Sequence, residues 1–497
     1  MHATLLFSSP LMALGRDAII PINHMGKTMM KKTMPKDIER SAIRKLTLHI
    51  VPLMILLYFL AFLDRNNMAY AAKALEDNLG LTASAFGFAS GIFFIGYFLF
   101  EIPSNAGTIK FGPRIWFARI LISWGIFATL LGFVRTPLEL YICRFMLGVC
   151  EAGFFPSVVY YFTVFFPEKY RTKILGMFII VQPLSNAVGS PISGFILNIQ
   201  HDWFGFAPWQ LLFILEGLPP IVIGLLIPFL IKNSPKDVGY LNVEEKAWLM
   251  SNAGRSKSGS KITLADFLKG IKNKKYLLYA LLNFGMVCGI YGFGTWLPSI
   301  ISALSGGDIF RVSLLALIPY GLAALLVYPW SLWASKTKKL GVFAGLSMVV
   351  AAIGLMGAVT FFKYDPLVAL SFLCIAAIGI YTAVPPFLSM PANISTGAAA
   401  AAGLAVVSCI GNIGGFVAPY AVGVLNDLTG SSAPGLFFLA SCLLATGLIC
   451  IFYCAKQREG VINLNEPIRS QSWAILRAKR SLSPGRNRAS AAPPRSG

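Results

Sequence analysis

The sequence predicts an all-α integral membrane protein, with twelve transmembrane helices grouped as two six-helix bundles. Three observations carry that prediction. The 497 residues are 56% hydrophobic and only 13% charged, with a mean hydropathy of +0.68, more apolar surface than a water-soluble fold has interior to bury. Separate apolar runs, each long enough to cross ~30 Å of hydrocarbon, recur along the chain. A polar stretch, 232–275, with ten Lys or Arg against four acids, divides those runs into six and six.

Taken in order, residues 1–40 are expected to be an N-terminal cytoplasmic segment without fixed structure. Their first 24 hold a weak apolar stretch with no basic region before it, so no cleaved signal peptide is expected. Met25, Met29, Met30 and Met34 each precede a more ordinary beginning. The N-terminal bundle, 41–231, has spans at about 46–72, 84–107, 115–134, 138–163, 173–199 and 209–231. After the cytoplasmic linker, 232–275, the C-terminal bundle, 276–455, has spans at about 276–302, 312–334, 340–361, 367–390, 399–426 and 434–455. The tail, 456–497, is basic and rich in Ser, Pro and Ala, a composition expected to stay disordered.

The formal charge of +21 would suit nucleic acid, but the bases do not gather on one amphipathic face. They fall in alternate loops: Lys110 and Arg114, then Lys169, Arg171 and Lys173, the linker, then Lys336, Lys338 and Lys339, and finally Lys456 and Arg458. The intervening loops are poor in bases; Lys73 is outnumbered by Glu76 and Asp77, and Asp427 stands alone. This alternation predicts a multi-pass protein with both termini cytoplasmic, its positive charge meeting anionic membrane lipid. No nucleic-acid partner is expected. The eight cysteines (143, 150, 288, 374, 409, 442, 450 and 454) fall within or at the edges of apolar runs. None has metal-ligand spacing with His, so they read as small apolar filler.

Six-plus-six helices about a basic linker suggest two bundles that rock about a central site. Gly and Pro punctuate the spans, as in Gly189-Ser190-Pro191 and Pro385-Pro386, allowing close packing or bending where helices slide.

Several motifs then match a known family in order. Lys110-Phe111-Gly112-Pro113-Arg114 follows the second span. Phe62-Leu63-Asp64-Arg65-Asn66-Asn67, Phe100-Glu101-Ile102-Pro103-Ser104-Asn105 and Arg144 through Glu151 to Pro156 occupy spans one, two and four. Pro191 to Gly194, Glu216-Gly217 and Gly411 to Phe416 agree. With these the chain resembles the major facilitator superfamily, in its anion:cation symporter branch, and within it the bacterial tartrate and phthalate permeases, from about Arg40 to Lys456. Two departures stand out. The superfamily's Asp after the second span is not recognisable, and the loop after the eighth reads Trp333 to Lys339 where relatives tend to show Asp-Arg.

Ionisable residues inside apolar runs are costly, and by default they mark an ion or substrate pathway. Away from their ends, the first six spans hold Asp64, Arg65, Glu101, Arg119, Arg144, Glu151 and Glu216; the predicted last six hold none. Proton coupling is therefore expected in the N-terminal bundle. Arg144 and Glu151, seven apart, share a helix face about 10 Å apart, with Asp64 at a depth similar to that of Arg144. This suggests Asp64 and Glu151 as proton carriers, Arg144 as supporting charge, and Arg65 as a clamp for a substrate carboxylate, whose two oxygens suit a guanidinium fork. The competing reading is a structural ion pair tying spans one and four. The resemblance favours the functional reading, and implies that Tyr97, Gln182 and Asn412 line the same cavity; without it, Gln182 and Asn412 read equally well as helix-packing contacts.

Tyr58, Tyr291 and Trp296 are candidate walls for which packing is the favoured role. Glu101 and Arg119 read as gating or solvated groups near cytoplasmic helix ends. Glu216 is ambiguous, and His49 is interfacial. With no nucleophile–base pair, phosphate loop or metal-spaced cluster, neither an enzyme nor a cofactor is expected. The resemblance implies proton-coupled uptake of a small carboxylate, tartrate-, phthalate- or sugar-acid-like, by a monomer in a bacterial inner membrane. An exchanger or effluxer of the same fold is the alternative.

Overall fold

The computed structural model describes residues 36–199, 205–253, 270–391 and 397–464. Among them, twelve helices are long and apolar enough to cross a membrane: Asp37–Leu79, Ala83–Phe111, Pro113–Phe133, Pro137–Phe165, Glu168–Leu197, Pro208–Leu230, Lys274–Ala303, Ile309–Thr337, Leu340–Phe361, Pro366–Leu388, Ala402–Thr429 and Ala433–Tyr453. They are the first to twelfth spans below. The first helix starts at Lys36 and is 44 residues long, roughly 66 Å, so it outruns a bilayer and enters the segment expected to be unstructured. Residues 1–35 and 465–497 of the two terminal expectations lie outside the described residues. The last helix continues to Leu464, past the expected boundary at 455.

Local chemistry sets the helix ends. Thr82, Asn273, Asp308 and Asp365 each accept a backbone N–H of the first turn that follows them, satisfying donors that a helix start leaves orphaned. The acids among them therefore sit between apolar runs, where capping and hydration coincide.

Three spans are discontinuous. The fourth breaks between Pro137–Glu151 and Phe154–Phe165, where Gly153 adopts φ 80°, a conformation that glycine enters without a Cβ clash. The fifth breaks at Ile180, between Glu168–Ile179 and Val181–Leu197; Pro183 supplies no N–H to the turn before it. The eleventh breaks at Ile413, between Gly397–Asn412 and Gly414–Thr429. Glu151, Gln182 and Asn412 all lie at these breaks, where irregular backbone is tolerated beside a cavity or within protein.

Twelve crossings place the start of the first span, the linker and the end of the twelfth on one face. On the far face the second and eleventh spans are pressed together. A Cβ on Gly87 would come 2.3 Å from the Pro419 carbonyl oxygen, and one on Gly423 would come 2.3 Å from that of Ala83. There the Asp427 carboxylate accepts the Ala83 and Ser84 N–H groups at 3.0 and 2.8 Å. This helix pair joins the two bundles on the far face.

The linker contains a helix, Val243–Asn252, started by a capping box between Asn242 and Glu245. Glu245 is buried against the first helix, where it accepts from Ser41 at 2.6 Å and Lys45 at 2.9 Å. His49 stacks on Tyr240 with ring centroids 3.9 Å apart.

Candidate functional site

Three consecutive polar residues of the first span, Asp64, Arg65 and Asn66, point in different directions, because each step along a helix turns about 100°. Arg65 reaches the junction of the two bundles. Its Nε and Nη2 donate to one oxygen of Glu151 at 2.8 and 2.5 Å, and its Nη1 donates to the Tyr291 hydroxyl of the seventh span at 2.9 Å. Glu151 is fully buried and its second oxygen has no partner. The guanidinium carbon lies 5.1, 5.2 and 5.3 Å from the ring centroids of Phe62, Phe93 and Tyr97, an aromatic cage suited to a cation.

Arg144 is buried one turn from Gly148. It donates weakly to the carbonyls of Ala89 and Ser90 at 3.3 and 3.4 Å, over the Phe93 ring at 5.3 Å, and its Nη1 has no partner. Gly148 permits this arrangement: a Cβ there would fall 2.0 Å from the Phe93 carbonyl oxygen. The close crossing of spans two and four thus sets Phe93 and Tyr97 against Arg144 and Glu151.

Asp64, although adjacent to Arg65 in the chain, is not its ionic partner. Asp64 faces away from the junction, into the N-terminal bundle, where Trp124 Nε1 donates to it at 2.5 Å. The ion pair joining spans one and four is Arg65–Glu151. Adjacency in sequence separated the two side chains in space, since neighbouring helical residues meet different helices.

Asn412 is tied by its amide to the second span. Its amide donates at 3.3 Å to Glu101, which also accepts from Ser408 at 2.8 Å and Cys409 at 3.6 Å. Glu101 is therefore a buried bridge between the bundles, on the linker side of Arg65, and not a solvated helix end. Its helix runs on to Phe111, which places it well inside. Gln182 is buried in the helix Val181–Leu197, and its side chain makes no hydrogen bond to the described residues. Arg119 lies against Trp116, 4.9 Å from its ring centroid, and donates to the Cys150 carbonyl.

Among the aromatic candidates, Tyr291 joins the site through Arg65, whereas Trp296 donates to the Pro419 carbonyl and packs on Phe86, away from it. Tyr58 stacks on Phe178 at 4.2 Å beneath the cluster. One chain of contacts was not anticipated: Asn66 donates to Asn186, and Asn186 donates at 2.7 Å to the Tyr381 hydroxyl of the tenth span. Asn186 stands four residues after Gln182, a helical repeat that could have revealed it. Tyr381 gave no signal within its apolar run.

The site thus holds a guanidinium fork shared between the bundles, with one carboxylate on it and hydrogen-bonding amides and phenols around it. A ligand carboxylate can compete for that fork.

Comparisons with known proteins bear on the family and the fold. Residues 54–419 match the family model described as Major Facilitator Superfamily. The chain is 38% identical over 421 residues to a protein of Agrobacterium vitis named "Putative tartrate transporter", covering 84% of this chain and 96% of the relative. It is 34% identical over 445 residues to one of Acinetobacter baumannii named "Quinolone resistance transporter", covering 87% and 100%. Among solved structures, the xylose transporter XylE from E. coli, in a partially occluded inward-open conformation, matches with a TM-score of 0.61 at 15% identity. That match covers 82% of this chain and 97% of the other, and it is a likeness of fold.

Proposed function

The chain belongs to the major facilitator superfamily, and from that membership we propose that it takes up a small organic anion together with protons, by alternating access across a bacterial inner membrane. Secondary transport follows from the family, and it involves no enzymatic step. The observation that carries the finer reading is the Arg65 fork at the bundle junction, held by Glu151 of one bundle and Tyr291 of the other. A substrate carboxylate that displaces Glu151 from Arg65 gains two parallel hydrogen bonds. It frees a buried carboxylate, which is then best neutralised by a proton. That exchange links substrate to proton at one point, and Tyr291 reports it to the second bundle.

Arg144 adds positive charge behind the fork, while Tyr97, Gln182 and Asn412 supply contacts around it. With the basic loops inward, both termini and the linker are cytoplasmic. A tartrate-like acid is the favoured substrate class, from the relative's name and from the fork itself. One chain contains both halves of the site, so a monomer suffices.

The test is uptake of labelled tartrate, phthalate and sugar acids into proteoliposomes made alkaline inside. One acid should accumulate above its external concentration, and a protonophore should abolish the accumulation. A gradient that drives none of the three would overturn the reading. Exchange or export is the second reading, favoured by the relative named for quinolone resistance; counterflow that proceeds fully without any pH gradient, with no gradient-driven uptake, would establish it.

A further inference from the structure

Away from the Arg65 junction, the interior of the N-terminal bundle holds a second polar cluster. Asp64 and Asn67 lie on one face of the first span, one turn apart; Glu216 comes from the sixth span and Ser193 from the fifth. All four are no more than 2% exposed. Trp124 donates to one oxygen of Asp64 at 2.5 Å, and Ser193 donates to one oxygen of Glu216 at 2.8 Å. Four buried atoms are left without partners: Asp64 Oδ1, Asn67 Oδ1, Asn67 Nδ2 and Glu216 Oε2. Among the described residues, no cation lies within 4 Å of either carboxyl group.

We propose that Asp64 and Glu216 share one proton through Asn67, making Glu216 the second half of the transporter's proton site. A single proton satisfies all four orphaned atoms. Placed on Glu216 Oε2, it can be donated to neighbouring Asn67 Oδ1, which leaves Asn67 Nδ2 to turn toward Asp64 Oδ1 one helical turn away. Leaving such groups unpaired costs about 1–3 kcal/mol each, and two ionised carboxylates in a low dielectric repel strongly. Charge balance gives the same answer. Away from the ends of its spans this bundle holds three guanidiniums, Arg65, Arg119 and Arg144, and four carboxyls, Asp64, Glu101, Glu151 and Glu216; one proton makes the set neutral.

The groups facing the pair are Arg144 and Glu151 of the fourth span and Tyr70 of the first. The third and fifth spans contribute Trp124 and Ser193, which do not titrate, and Arg119 of the third is turned to Trp116 and Cys150. When Glu151 releases Arg65 to substrate, the proton balance of this set changes, and the Asp64–Glu216 pair is its reservoir. The inference therefore rests on the proton-coupled reading and extends it inward from the junction.

Infrared difference spectra of the reconstituted full chain, cycled between mildly acidic and mildly alkaline buffer, read the C=O stretch of a protonated carboxyl directly. Wild type should show such a band at neutral pH. Glu216→Gln and Asp64→Asn should each lose it, Glu216→Asp should restore it, and Asn67→Ala, which removes the bridge, should shift it. In Glu216→Gln the pH midpoint of uptake should also move by about one unit, which a merely structural role would not produce. A band that survives in Glu216→Gln overturns the proposal, as does a wild-type band that vanishes when Na⁺ replaces choline, since a metal cation would then occupy the site. If wild-type uptake ignores the pH gradient while the band behaves as described, the shared proton stands and the symport reading falls.

Discussion

Glu151 binds Arg65 through one oxygen, which accepts both Nε and Nη2, and leaves its other oxygen buried without a partner. An ion pair built only to fasten two helices would use both oxygens, because the unused one retains its desolvation cost. This pair is satisfied in part, and so can be exchanged for a ligand that pairs better.

Replacing Arg65 tests that exchange. Arg65→Lys keeps the charge and loses the planar fork, so substrate affinity should fall by about 2 kcal/mol, roughly thirtyfold. Binding of labelled substrate to purified protein measures it, with Arg65→Ala expected to abolish binding. An unchanged affinity in the Lys variant would remove Arg65 from the substrate site.

Glu151→Gln mimics a permanently protonated acid. Uptake driven by a pH gradient should stop, while counterflow in the same vesicles should persist, because exchange needs no net proton movement. Asp64→Asn should lose gradient-driven uptake as well, even though Asp64 does not touch Arg65. Accumulation that survives in Glu151→Gln would make Glu151 structural.

Much of this arrangement was legible in the sequence, for a physical reason. Hydrocarbon excludes polar groups so strongly that spans, linker and buried charges stand out against their background. The partners of those charges were not legible. Asp64 and Arg65 are neighbours in the chain yet meet different helices, and Glu101 looked like a helix end until the second helix proved to run on to Phe111. The Asn66–Asn186–Tyr381 chain joins three spans through neutral groups, which carry no cost conspicuous enough to mark them. Tertiary packing chose these partners, and no periodicity records that choice.

Gly148 should tolerate no side chain. A Cβ would sit 2.0 Å from the Phe93 carbonyl oxygen and 3.1 Å from Tyr97 N, and backbone cannot step aside as a flexible side chain can. Gly148→Val should destabilise the purified protein by about 1–3 kcal/mol and abolish transport. Gly176→Ala is the control, with nothing within 4 Å of its added carbon. Thermal unfolding in detergent reads both, and equal midpoints would contradict the close crossing of spans two and four.

The linker clasp should respond to acid. Burial opposes the Glu245 charge, but donation from Ser41, the Asn242 N–H and Lys45 outweighs it and holds this carboxyl below its ordinary value. A lowered folded-state value gives stability that is full above the unfolded value and lost as pH falls through the folded one. Hydrogen exchange across Val243–Asn252, taken relative to its intrinsic rate at each pH, should therefore quicken on acidification below the usual glutamate range. In Glu245→Gln it should be quick at neutral pH and change little with acid. Exchange that is indifferent to both would mean the clasp does not hold the linker.

The Glu101 bridge should set how readily the linker side opens. It joins the second span to Ser408, Cys409 and Asn412 of the eleventh, and Cys409 is only 1% exposed behind it. Hydrogen bonds to a charged group contribute about 1.5–3 kcal/mol, so losing this set should raise the open population roughly tenfold or more. The native thiol is the reporter. In Glu101→Ala, alkylation of Cys409 by a maleimide, located by peptide mass mapping, should quicken by that factor. Glu101→Gln should lie between, since its amide oxygen still accepts from Ser408 and Asn412. Substrate should act in the same direction in wild type if it draws the Asn412 amide away from Glu101. Equal alkylation in all three proteins, with or without substrate, would show that Glu101 packs against the eleventh span without gating it.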